Sequence, residues 1–405
     1  MISHKLTHAP LWFTAPANRL ILLGYFSFFC LGLMSGLLGL SWTTMHVDLG
    51  MPLDALGILL FAQMAVGFGI TMNHAAITQK LGGYGNIFLI GSSGIAIGIF
   101  LMSIAPVALV AILGSVCLGI GNSLLNLGLN SYFAATSYTR SMNWLHASFG
   151  VGVTVIPLIG GWLFREGYIW RSLYGVAFLF VLVMVTMFVL TRPLWQPVDT
   201  QGNPAQTRKP IKATLRQAVL WPGILLFFFY AGIQVVPGQW MYNFFTEGRQ
   251  FNPETASYLL SLYWGGLTVG RFVLGAVSAR VDAVTLLRVC HVFIVIFACV
   301  LWLNPLNLAD TLGLAIYGFV QAPTIPIMLT IFRKYIGPSH AHNAMGLQMT
   351  GSSIGMVVLP GLAGVLIEQS TPFVILPMMV ILSVGTLICF EVMQKVAQRQ
   401  QTATP

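Results

Sequence analysis

The sequence is poor in charge. Of its 405 residues only 7% are Asp, Glu, Lys or Arg, while 57% are hydrophobic and the mean hydropathy is +0.83. Soluble globular domains carry about 25% charged residues, so a soluble enzyme is excluded. Cysteine is scarce too: Cys30, Cys117, Cys290, Cys299 and Cys389 lie in apolar runs without paired spacing, which excludes a disulfide framework and a zinc site. No H-E-x-x-H motif and no pair of mid-span aspartates occurs, and Ser352 and Ser353 have no base beside them. Enzymatic chemistry is therefore not expected, nor is a cofactor. The N-terminus lacks a short apolar core followed by an Ala-x-Ala site, so no removable signal peptide is expected. The net charge of +9 is scattered between apolar runs rather than clustered, which argues against nucleic acid as a partner. What is abundant is apolar sequence with 42 Gly and 20 Pro, residues more frequent in membrane-spanning helices than in soluble ones. The class is an all-α polytopic membrane protein, with the lipid bilayer as its surroundings.

A span needs roughly 20 mostly apolar residues. Breaking the chain at charges, Pro/Gly pairs and polar clusters predicts twelve transmembrane helices: 19–43, 54–78, 86–104, 107–135, 141–164, 171–191, 216–244, 255–280, 285–303, 309–332, 342–367 and 372–394. The polar, Pro-rich, basic stretch 193–213 then reads as a cytoplasmic linker between an N-terminal six-helix bundle, 1–192, and a C-terminal one, 214–405. With both termini placed in the cytoplasm, Arg165, Arg171 and Arg249 face outward, Arg271 lies within a span, and the rest of the 19 Lys and Arg fall inside. Such asymmetry is the positive-inside rule and points to a bacterial inner membrane.

The halves resemble each other at an offset of 203 residues, with Gly152, Val155, Pro157, Gly161 and Leu163 falling on Gly355, Val358, Pro360, Gly364 and Leu366. A parallel six-plus-six repeat follows. Spans 3, 6, 9 and 12 hold no interior Asn or Gln, whereas span 4 has Asn122, Asn126 and Asn130, span 7 has Gln234 and Gln239, and span 10 has Gln321. An amide facing lipid costs several kcal/mol per unsatisfied group, so the amide-bearing spans are expected to be central. Asn122, Asn126 and Asn130 are four apart and share a helical face, expected to point into a cavity.

This pattern resembles the major facilitator superfamily. The runs N-W-L-H-A-S-F-G-V-G (143–152) with Pro157, W-G-G-L-T-V-G-R-F-V-L-G (264–275) and L-P-G-L-A-G within 342–367 are similar to its sugar-permease branch, related to fucose and glucose/mannose proton symporters. The resemblance implies alternating access around a midplane site lined by helices 1, 4, 7 and 10. It also implies a membrane-embedded carboxylate on or near helix 7, where this sequence has Gln234. Since no Asp or Glu sits mid-span, and a buried carboxylate is the usual proton carrier, coupling would fall to His146, to a cavity-mouth acid such as Asp48 or Asp54, or be absent. The run Pro157-Leu-Ile-Gly160-Gly161 resembles the tail of a drug-antiporter motif, with Ile156 in place of its usual Gly.

The sequence thus favours a secondary transporter of a small, polar, neutral solute such as a sugar, acting as a monomer. Protons are the candidate coupling ion. The candidate contacts are Asn122, Asn126, Tyr230, Gln234, Trp240, Trp264, Tyr317 and Gln321, since amides both donate and accept and apolar walls with a few polar groups make small-molecule sites. Each of these residue types also serves to hold helices together. Arg271 costs at least about 2.5 kcal/mol at a bilayer centre; it is expected to support a gate, with organic-anion transport as the alternative reading and drug efflux as another. His146 can change charge near neutral pH, or can sit neutral between helices. Expected outcome: His146→Ala abolishes proton-driven accumulation in proteoliposomes but leaves downhill exchange, and accumulation surviving in the variant would remove His146 as the carrier.

Overall fold

A computed structural model describes residues 16–135, 139–195, 209–304 and 309–402. The chain is a multi-pass membrane protein whose twelve spans are α1 (Pro16–Asp48), α2 (Leu56–Lys80), α3 (Tyr84–Ile104), α4 (Ala108–Ala135), α5 (Thr139–Arg165) and α6 (Trp170–Thr191) in the first bundle. The second holds α7 (Leu220–Asn243), α8 (Pro253–Val277), α9 (Ala283–Leu303), α10 (Asp310–Ile336), α11 (Pro338–Gln369) and α12 (Ile375–Thr402). Most of the expected spans are present with longer ends, because helices run on past the hydrocarbon layer where hydropathy no longer marks them. Of the linker expected over 193–213, residues 196–208 lie outside the described residues; a short helix, Ile211–Leu215, precedes α7.

Helix ends follow local chemistry. Asn252 begins α8 by accepting the Thr255 N–H at 2.7 Å, with Pro253 in the first turn. Asp282 begins α9 by accepting the Thr285 N–H at 2.9 Å, which satisfies an otherwise orphaned donor and holds the Asp282 carboxyl below the usual carboxylate range. In α10 the helix is interrupted between Gln321 and Thr324, where Pro323 lacks the N–H that would continue the ladder.

The bundles repeat each other. In the first, α1 packs on α5 and α6, α2 on α4, and α3 on α4 and α6; six spans later α7 packs on α11 and α12, α8 on α10, and α9 on α10 and α12. Between bundles the contacts are α1 with α7, α5 with α8, and α2 with α11. Glycines allow the closest approaches. A Cβ at Gly152 would collide with the Phe29 carbonyl and lie 2.9 Å from the Leu33 N of α1, and one at Gly355 would collide with the Phe228 carbonyl of α7. These two positions, equivalent in the repeat, therefore pack within their own bundles. The outward faces of α3, α6, α9 and α12 expose large apolar side chains such as Ile97, Leu190, Phe293 and Ile381, as a lipid-facing ring requires.

Expected outcome: Gly152→Leu and Gly355→Leu each destabilise their bundle by about 1–3 kcal/mol or more, the cost of overpacking. Gly175→Ala, where an added Cβ meets nothing within 4 Å, is close to neutral. Melting of the purified protein in detergent checks both, and equal melting of all three variants would contradict the packing.

Candidate solute cavity

Between the bundles lies a cavity of about 420 Å³, within the ordinary size range of small-molecule sites. Its polar groups come from several helices: Ser35 on α1, Gln63 on α2, Asn122 and Ser123 on α4, Gln234 and Gln239 on α7, Trp264 and Arg271 on α8, and Ser353 on α11. Leu, Met, Phe and Val side chains supply most of the remaining wall. Among the described residues Arg271 is the one charged side chain in the lining.

Several of these groups have unspent hydrogen-bonding capacity. The Gln239 Oε1 and the Trp264 Nε1 are buried without a partner among the described residues, and both side chains are only 7% exposed. A buried donor or acceptor left unmade costs about 1–3 kcal/mol, so such atoms mark places where a solute or water is wanted. Gly119 is close to the Gln63 backbone, with an added Cβ only 2.8 Å from the Gln63 Cα. That packing brings α2, and Gln63 with it, against α4.

Of the sequence-derived candidates, the lining includes Asn122, Gln234, Trp264 and Arg271. The others lie behind it or apart from it. Asn126 accepts from the Asn130 Nδ2 at 2.9 Å, a local pair on α4. Tyr230 donates to the Gln321 carbonyl at 3.0 Å, and Gln321 donates to the Tyr317 carbonyl at 3.1 Å while its Oε1 faces the Tyr263 hydroxyl at 3.3 Å. The Tyr317 hydroxyl lies 3.3 Å from Ser383 of α12, and Trp240 donates to the Pro360 carbonyl at 2.9 Å. These side chains join α7, α8, α10, α11 and α12, and α10 gives no side chain to the lining. His146 is also outside the lining; its ring stands edge-on to Phe28 at 5.4 Å, and its carbonyl receives Arg271 Nη1 at 3.4 Å. Ser35, Gln63, Ser123, Gln239 and Ser353 were not among the candidate contacts; the signal for Gln63 and Gln239 was an amide in the interior of spans 2 and 7.

The cavity is closed at one end. There an added Cβ at Gly39 of α1 would lie 2.6 Å from the Gln239 Cα, and Asn243 Nδ2 donates to Thr43 at 3.5 Å. Gly57 and Gly361 place α2 against α11, with an added Cβ at Gly57 3.2 Å from the Gly361 Cα. Two polar latches lie at the same end. Arg165 pairs with Glu254 at 3.0 Å, and Glu368 accepts the Asp54 backbone N–H at 3.0 Å. Arg165 and Glu368 are equivalent in the repeat, separated by the same 203 residues, but carry opposite charge.

The model of the Major Facilitator Superfamily matches residues 24–360. The chain belongs to this superfamily. It is 23% identical over 419 residues to the sodium-dependent glucose transporter 1 of Homo sapiens, covering 92% of this chain and 78% of that one. It is 22% identical over 229 residues to a glucose/galactose transporter of Brucella abortus biovar 1 (strain 9-941), covering 54% of each. A shorter match, 35% identical over 66 residues, covers 16% of this chain and only 13% of the bypass of stop codon protein 6 of Saccharomyces cerevisiae (strain ATCC 204508 / S288c). The structure of a mutant of the nucleoside transporter NupG superposes with a TM-score of 0.77 at 14% identity, covering 93% of this chain and 99% of that one. As a major facilitator protein the chain is a transporter of small solutes and not an enzyme.

Expected outcome: in a cysteine-free background with Ser35→Cys as the reporter, replacing Arg165 and Glu368 together with Gln speeds modification by a membrane-impermeant thiol reagent added from the closed side. An unchanged rate would mean that the two latches do not hold that end.

Proposed function

We propose that this protein is a secondary transporter that moves a sugar-type solute by alternating access across the cytoplasmic membrane. The observation that carries the reading is the cavity itself. Amides from both bundles, Gln63 and Asn122 on one side and Gln234 and Gln239 on the other, converge with an indole on a space that no acid lines among the described residues. Amides suit hydroxyls because they donate and accept at once, and the unpaired Gln239 oxygen and Trp264 N–H give a hydroxyl-rich solute both kinds of partner. The names of two relatives, glucose and glucose/galactose transporters, support the same class. Efflux of lipophilic cations is disfavoured, since the wall's one charge is positive.

In this reading both termini are cytoplasmic and 193–213 joins the halves 1–192 and 214–405. The closed end then faces outward and the protein is inward-open. Proton coupling through His146 belongs to the same proposal, supported by its place on α5 beside the seam between bundles. The proposed contact set is narrowed to Asn122, Gln234 and Trp264, joined by Gln63 and Gln239; Asn126, Tyr230, Trp240, Tyr317 and Gln321 instead shape the wall from behind.

Thermal shift of the purified protein tests the class, with a panel of sugars and sugar acids, non-sugar organic anions and lipophilic cations. A ligand at about 100 times its dissociation constant adds roughly 2.7 kcal/mol to the folded state. Stabilisation by members of the sugar group is expected, and stabilisation only by cations or only by non-sugar anions would overturn the reading.

A further inference from the structure

The charge balance of the cavity wall is not neutral. Trp264, Leu267 and Arg271 all line the cavity, and at spacings of three and four residues they form one stripe of α8. Trp and Arg side chains only donate, so the polar groups of this stripe offer no acceptor. Arg165, Arg171, Arg249 and Arg288 each have a carboxylate within 4.0 Å, whereas Arg271 is in none of the ion pairs among the described residues. Its contact with the His146 carbonyl, at 3.4 Å, is longer than a normal N–H···O bond and engages one of five donors. Tyr230 and Tyr263 donate their hydroxyl protons to the carbonyls of Gln321 and Gln234 and, being neutral, do not cancel its charge. Among the described residues no Asp or Glu lines the space.

A guanidinium exposed to a cavity with apolar walls keeps its hydration only while the cavity is wet. A neutral solute that displaced this water would leave the charge uncompensated, and a cation would be repelled. A carboxylate would accept two parallel N–H bonds from the fork and cancel the charge. Apolar walls also focus the field of a single charge and raise the local concentration of its counter-ion.

From this we infer that the transported solute is an acid of the sugar class, with its hydroxyls on the amides and its carboxylate on Arg271. The inference rests on the sugar reading above and replaces the neutral solute that the sequence alone favoured. Arg271 is then a specificity-determining contact rather than a gate support.

The test uses matched pairs that differ by one carboxylate, glucose with glucuronate and galactose with galacturonate, titrated onto the full-length purified protein by calorimetry and thermal shift. The uronate is expected to bind at least about tenfold more tightly than its neutral parent, the worth of a charge-assisted hydrogen bond. Arg271→Gln should abolish that preference, and Arg271→Lys, which keeps the charge without the fork, should retain part of it. Should the variants fail to fold, the wild-type comparison decides alone. Neutral parents binding as tightly as uronates would overturn the charge assignment and leave the sugar reading standing. Binding of neither member of either pair would overturn both.

Discussion

Hydrocarbon offers no hydrogen-bond partner, and the rest of this structure follows from that. The backbone satisfies itself by running as helix, and each polar side chain must be spent on another helix or turned toward water. Ser27 and Ser41 return their hydroxyls to carbonyls one turn back, at 2.7 and 2.8 Å. The cluster of Tyr230, Tyr263, Tyr317 and Gln321 spends its capacity internally. Among the groups left over after this accounting, the Gln239 oxygen, the Trp264 N–H and the Arg271 guanidinium meet on one cavity, while others, such as the His291 ring and the Gln348 amide, lie elsewhere in the bundles. In a membrane protein the unspent polar atoms are more informative than the polar residues as such.

Glycine serves two different purposes at positions that the repeat makes equivalent. Gly152 and Gly355 bring α5 onto α1 and α11 onto α7, each within its own bundle. Gly161 and Gly364, one repeat apart, both meet the other bundle: an added Cβ at Gly161 would lie 3.1 Å from the Ser257 Cβ of α8, and one at Gly364 would lie 3.1 Å from the Asp54 Cα, in the turn before α2, and 2.8 Å from the Trp240 ring of its own bundle. The first pair contributes to the core of each bundle, while the second lies on surfaces that the proposed alternating access would separate. Small residues suit a seam of this kind because they allow close contact without interlocking side chains, so separation requires no rotamer rearrangement.

The sequence made the class, the number of spans and the repeat legible, because hydropathy, charge asymmetry and the spacing of Gly152, Pro157 and Gly161 against Gly355, Pro360 and Gly364 are one-dimensional signals. The site was legible only in part. Asn122 and Asn126 share a helix face, yet Asn126 is engaged with Asn130 and only Asn122 lines the cavity. Gln321 is an amide in a span expected to be central, yet Tyr263 and the Tyr317 carbonyl consume it. Nothing in a linear pattern tells whether a polar group has met a partner from a distant helix. The span ends were short for a related reason: hydropathy reports the hydrocarbon layer, whereas helices such as α11 and α12 continue beyond it.

The two seams between bundles differ. Along α5 and α8 the contacts run the whole length, from Arg165 with Glu254, through Ser261 donating to the Thr154 carbonyl at 2.8 Å, to Trp144 and Phe272 with ring centroids 5.9 Å apart. Along α2 and α11 they gather near Asp54, Gly57, Gly361, Gly364 and Glu368, and farther along α2 Phe68 and Met72 are exposed. The α5–α8 seam is therefore the continuous one, and the α2–α11 seam is joined chiefly near one end. On the α2–α11 side Phe68 both lines the cavity and is exposed, so under the proposed alternating access a solute would pass off the central axis, through a wedge rather than down a straight pore.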